Sequence, residues 1–187
     1  VQRAIIAVVV SCACVAKSGD TGGRAPAQGA LVVQDTVAPF AGTLGPVRRP
    51  ATFSPARAAV LESVRTGRQP GFDRVVFEFS GPGVPGYQVH YATEPIRACG
   101  SGAVVPLAGA APLVVRFEPA QAHDTLGHVT SAERALAPRL QQMQELKLVC
   151  DFEGQVEWAV GLAARMPFRV LEDSAPPRVM VDVRQRD

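Results

Sequence analysis

Apolar and polar positions alternate in three successive runs between Cys150 and Arg184, CDFEGQVEWAVGLAARMPFRVLEDSAPPRVMVDVR. Val156, Trp158 and Val160 are interleaved with Glu157 and Ala159, the two-residue period of a strand with one buried face. The alternation breaks at Glu153-Gly154, where glycine accepts the backbone angles of a hairpin turn. Pro167 opens the next run, residues 168–171, and Pro176-Pro177 imposes an extended entry into residues 178–183. In that last run Val179, Val181 and Val183 share one face, and Arg178, Met180 and Asp182 the other. Three strands with tight connections are predicted.

The same punctuation recurs upstream. Residues 60–65 read as a strand, followed by a turn at Gln69-Pro70-Gly71. In residues 72–80, Val75, Phe77 and Phe79 face one way and Arg74, Val76 and Glu78 the other. Further strands are predicted at residues 87–91, 104–107 and 113–117. Between residues 120 and 144 the pattern changes. Leu136 and Leu140 have helical spacing with Pro138 between them, which predicts one short interrupted helix or a long loop. Alternation resumes over residues 143–150, with Leu146, Leu148 and Cys150 expected on one face. Short strands separated by turn signals predict an all-β sandwich or barrel, mainly antiparallel, with one inserted loop or short helix, over residues 58–187.

The first residues follow a different logic. Arg3 precedes a short apolar run, and small residues precede Cys12, which is signal-peptide anatomy in a run too short to span a bilayer. Val9-Val10-Ser11-Cys12 looks like a bacterial lipobox, so residues 1–12 are expected to be a lipoprotein signal with Cys12 lipidated. Cys14 fits less well, because Ser11 would then stand where a branched aliphatic is usual. An edge strand is the alternative for this run. Residues 13–57 are rich in Gly, Pro and Ala and are expected to form a flexible tether. Residues 30–35, ALVVQD, are apolar enough to dock on the domain instead. This reading places the protein outside the cytoplasm, on the outer side of the cytoplasmic membrane or in the periplasm or outer membrane.

Composition narrows the function. The 19 basic and 17 acidic residues nearly cancel, without the basic stripe and interleaved aromatics that nucleic acid requires. Pro and Gly, 33 of 187 residues without a period, favour short strands and turns over a fibre. In an exported chain Cys99 and Cys150 are the one pair left once Cys12 and Cys14 are set aside, and they can form a disulfide. Two buried free thiols are the alternative.

Candidate chemistry is sparse. His123, Asp124 and His128 offer too few ligands at a recognisable spacing for a metal site. No Gly-x-Ser-x-Gly elbow is present, and Gly81-Pro82-Gly83 and Gly100-Ser101-Gly102 lack the strand–loop–helix setting of a phosphate loop. Asp151 and Glu153 read as a solvated hairpin end. Trp158 sits mid-strand, a core position rather than a sugar-stacking one. No catalytic residue, metal or cofactor is expected.

One weak repeat stands out. Arg74-Val75-Val76-Phe77-Glu78-Phe79 and Arg178-Val179-Met180-Val181-Asp182-Val183 both read Arg, Val, apolar, apolar, acid, apolar. Residues four apart on a strand share a face about 13 Å apart. Within each segment, the Arg and the acid therefore lie on one outer face without touching. Arg74, Glu78, Arg178 and Asp182 are the candidate ligand-binding residues, able to hydrogen-bond a glycan or muropeptide. The plainer alternative is a solvated sheet face whose charges discourage edge-to-edge aggregation.

These segments also carry a resemblance. Gly71 to Phe79, Asp151-Phe152-Glu153-Gly154 with Val156 and Trp158, Gly161-Leu162, Pro167 to Val170 and Pro177 to Val183 together resemble the AMIN family of bacterial envelope domains. The likeness is closer to the AMIN-like domain of lipoproteins and runs from about residue 60 to 183. It implies a β-sandwich that localises its protein in the envelope, in some members by binding peptidoglycan. The loop over residues 120–144 and the Cys99/Cys150 pair depart from ordinary AMIN domains. The function expected is a non-catalytic envelope-binding module. The alternative is a protein-interaction module docking an envelope complex through a sheet edge. Expected partners are the membrane, through the lipid anchor, and peptidoglycan or an envelope protein, with no nucleic acid.

Overall fold

The computed structural model describes residues 40–186. The expectations for residues 1–39, including the signal, Cys12, Cys14 and the ALVVQD stretch, lie outside the described residues. Eleven strands follow in order: β1 (Val47–Arg49), β2 (Ala59–Gln69), β3 (Phe72–Ser80), β4 (Gly86–Tyr91), β5 (Ala111–Glu118), β6 (Ala120–Gln121), β7 (Ala135–Leu136), β8 (Met143–Phe152), β9 (Gln155–Leu162), β10 (Phe168–Ser174) and β11 (Pro177–Arg184). They form two sheets. Sheet one has the order β1-β4-β5-β9-β8-β7, and sheet two β10-β11-β3-β2-β6. Every pairing is antiparallel except β2 with β6. The expected all-β sandwich is the observed architecture.

The two inner faces are the alternating apolar sets. Val75, Phe77 and Phe79 of β3 and Val179, Val181 and Val183 of β11 are buried, as are Val156, Trp158 and Val160 of β9. Aromatic rings join the sheets: Phe77 lies 4.9 Å from Phe117 and 6.0 Å from Trp158, and Phe79 lies 5.0 Å from Phe117, centroid to centroid. Tilted contacts of this kind contribute beyond the area they remove from water. Trp158 is thus a core residue.

Glu153 and Gly154 both adopt positive φ, 50° and 76°, in the two-residue turn between β8 and β9. This is the geometry whose twist matches the flanking strands. Gly161 permits another close approach: a Cβ there would lie 1.8 Å from the Ala108 carbonyl oxygen. Residues 92–107 thereby fold back over the outer face of sheet one. They cover a second apolar cluster of Ile96, Val114, Val149 and Ala159. Cys99 and Cys150 fasten this flap with a disulfide, Cα atoms 5.2 Å apart.

Three expectations need correction. Residues 40–57, expected as tether, are folded: β1 adds to the edge of β4, and Val47 and Phe53 pack on the core. Residues 104–107 form no strand; Val104 makes a single bridge to Arg97 within the flap. Of the two outcomes expected for residues 120–144, the loop is the one observed; it holds the short strands β6 and β7 before β8 begins, and Pro138 suits its extended path. Finally, Cys150 does not share the face of Leu146 and Leu148. A bulge between Leu148 and Cys150 inserts an extra residue, Val149, and turns Cys150 to the outer face, opposite Glu157.

Candidate functional site

The repeat acquires its meaning from pairing. β3 and β11 are antiparallel neighbours in a register that sets Arg74 against Asp182 and Glu78 against Arg178. The arginine of each segment therefore meets the acid of the other. Arg74 grips Asp182 with both prongs, Nε to Oδ1 at 2.6 Å and Nη2 to Oδ2 at 2.9 Å. The neighbouring strand β10 brings Arg169, whose Nε donates to Oδ2 of the same carboxylate at 2.8 Å. At the other end of the face, Arg178 Nε and Arg65 Nη2 both donate to Oε2 of Glu78, at 2.7 and 2.8 Å. Arg178 also reaches Asp173 at 3.4 Å.

Burial separates the two acids. The Asp182 side chain has no exposed surface, so it is not the solvated group expected from the alternation. Its three charge-assisted bonds offset the cost of removing it from water. These bonds also raise the pKa of Arg74 further above its ordinary value. Above the pair lies an aromatic lid. The Arg74 guanidinium sits 5.3 Å from the Phe72 ring, and Arg169 stands 4.9 Å from Phe72 and 4.7 Å from Phe40. Glu78 is more open, and hydrogen bonds from Arg178 and then Arg65 hold its pKa below the usual carboxylate value. Four guanidiniums thus share three carboxylates on one sheet face. The carboxylates orient the arginines, which are partly exposed and retain N–H groups not used in these bonds.

Sequence reasoning named four members of this network and missed Arg65, Arg169, Phe40 and Phe72. A signal existed for Arg169. A hairpin turning at Ala175-Pro176 places residue 169 opposite 182.

A second polar site lies on sheet one. Arg48, Gln88, Arg116 and Glu157 form one row across β1, β4, β5 and β9. At its end an open cleft of about 590 Å³ is walled by Arg48, Arg49 and Arg116, with Phe53, Pro55 and Pro119 as apolar surfaces. Arg116 pairs with Glu118 at 2.8 Å and Arg49 with Glu172 at 3.4 Å. Tyr87 also donates to Glu172, at 2.7 Å; its burial, with this bond, pushes its pKa up to about 12. The Arg48 side chain has no hydrogen bond or ion pair among the described residues. Glu157 is partly buried, which raises its carboxyl pKa. The alternating pattern of β4 and β5 carried no hint of the cleft, because two of its arginines belong to residues read as tether.

The histidines do structural work. His123 Nδ1 lies 3.1 Å from Asp151 Oδ1, the atom that also accepts the Ala122 N–H at 2.9 Å. Asp151 is therefore an anchor for the inserted loop rather than a solvated hairpin end. Asp124 accepts from the backbone of Leu126 and His128, closing a turn at the loop tip. Among the described residues, no group of three or more His, Cys, Asp and Glu is placed to hold a metal ion.

Neither a curated protein nor a solved structure matches the chain. A family model does: the AMIN-like domain matches residues 59–185, from the start of β2 to just past the end of β11. That span contains ten of the eleven strands, the paired repeat and the disulfide. The chain belongs to the AMIN-like domain family.

Proposed function

We propose that this protein binds peptidoglycan through the outer face of sheet two, as a non-catalytic module held at a membrane by a lipid on Cys12. AMIN-like domains are non-catalytic, envelope-associated and peptidoglycan-related, and membership of that family supports this compartment and class of partner. The observation that carries the reading is the arginine array. Its guanidiniums are fixed by Asp182 and Glu78, are partly exposed and keep N–H groups unused in these bonds, which suits a polymer rich in hydroxyl, amide and carboxylate oxygens. In this role Asp182 and Glu78 position the arginines, and Arg65, Arg74, Arg169 and Arg178 make the contacts.

The test is co-sedimentation of the full chain with insoluble peptidoglycan over a salt series. Saturable binding that persists at moderate salt, and falls about tenfold in Arg65→Gln/Arg178→Gln, is the expected result. These two positions are partly exposed, so the variant keeps the fold. Binding lost at modest ionic strength would reveal only unspecific charge attraction and sink the proposal. The lipid anchor is read separately: Cys12→Ser should move the protein from the membrane fraction to the soluble one.

A second reading has its own observation. Among the described residues the outer edge of β10 is bridged only where Thr43 meets Phe168, so the rest of the strand offers backbone groups to a partner strand. A chain that stays in the supernatant with peptidoglycan but captures an envelope protein, and loses it when Val170 is replaced by Pro, would favour this docking role.

A further inference from the structure

We propose that the cleft beside β1 is a separate site for the free C-terminal carboxylate of a short peptide. Three features converge there. The first is charge. Arg48, Arg49 and Arg116 wall the cleft against the single carboxylate of Glu118. Arg49 and Arg116 already have acidic partners, whereas Arg48 has none among the described residues. Arg48 and Arg116 lie in one row, two strands apart, about 10 Å between backbones. Their long side chains can close on one anion from two sides, and a carboxylate matches a guanidinium in geometry as well as charge.

The second feature is shape. Phe53, Pro55 and Pro119 supply stiff apolar walls of a size for small side chains. The arm that bears Phe53 is fixed rather than loose. Thr52 donates from both its backbone N–H and its hydroxyl to the Val84 carbonyl, each at 3.1 Å, and Gly86 packs so tightly that a Cβ would meet the Ala51 nitrogen at 2.9 Å. The site is therefore formed before a ligand arrives, which lowers the entropy cost of binding.

The third feature selects a peptide over a sugar acid. Among the described residues β1 is the outermost strand of sheet one, and no described strand pairs with its other edge. A peptide laid along that edge gains main-chain hydrogen bonds while its terminal carboxylate meets Arg48. A monosaccharide acid gains the charge contact alone. This site lies on the opposite sheet from the arginine array and does not depend on the peptidoglycan reading.

The experiment is calorimetric titration of the full chain with N-acetyl-Ala-Ala, its C-terminal amide, and glucuronate. N-acetyl-Ala-Ala should bind saturably, with the amide and glucuronate each about tenfold weaker. Arg48→Gln, an exposed change that breaks no ion pair, should weaken the acid about tenfold and leave the amide unchanged. Arg65→Gln/Arg178→Gln should bind the dipeptide as the parent does, which separates failure here from failure of the peptidoglycan reading. Equal binding of acid and amide, an unaltered Arg48→Gln, or no heat from any probe overturns the proposal. Glucuronate binding as tightly as the dipeptide overturns the assignment to peptides.

Discussion

At the scale of single residues, two carboxylates show how the same group takes opposite roles in this fold. Asp182 has no exposed surface and receives three bonds from two arginines. Asp182→Asn keeps the shape but leaves Arg74 and Arg169 without their counter-charge, and should cost about 3 kcal/mol. Urea unfolding would show it as a lower midpoint at unchanged slope. Glu157 is the reverse case, since burial raises its pKa above the ordinary 4.5. Between that value and the raised one, the folded state holds more protons than the unfolded state, so its contribution to stability is lost as pH rises through the window. Glu157→Gln should match the parent below pH 4.5 and exceed it in stability above, as read by thermal melts across pH. Glu78, whose pKa is lowered, acts in the other direction and cancels from the comparison because both proteins contain it.

The elements differ in how far their sequence announced them. β3, β9 and β11 were legible because each sets an apolar residue at every second position on its inner face, so the two-residue period survives even where Ala159 and Asp182 are buried on the outer faces. Cys150 was misplaced because a bulge adds a residue to β8, and nothing in the run LKLVC marks where the period slips. Residues 104–107 have strand composition but act as a flap, since covering Val114, Val149 and Ala159 buries the same side chains without a ladder. The pairing of Arg74 with Asp182 was hidden for a further reason. It joins residues 108 apart, and no hairpin turn fixes that register in the way Ala175-Pro176 fixes Arg169 against Asp182. The flap's disulfide joins residues 51 apart. By loop-closure entropy, Cys99→Ala/Cys150→Ala should cost about 4 kcal/mol. Amide exchange would show the loss first in residues 92–107, the part of the chain that the bridge holds against the sheet.

For the whole molecule, class and layer order followed from strand count and turn spacing, while the limits of the folded unit did not. Gly, Pro and Ala between residues 40 and 57 have the composition of a linker, yet tertiary contacts order them: Phe40 lies on Arg169, Thr43 bridges Phe168, and Val47 joins the core. The family match begins at residue 59, beyond all of these. A shorter protein cut at the family boundary would therefore present β4 with one side stripped of its neighbour, offering Tyr87, Gln88 and Val89 to any passing strand. A fragment of residues 58–187 should self-associate with rising concentration in sedimentation velocity, while residues 40–187 should show a lower association state at the same concentrations. For this chain, the arm that precedes the recognised domain covers a sheet edge that the domain alone would leave open.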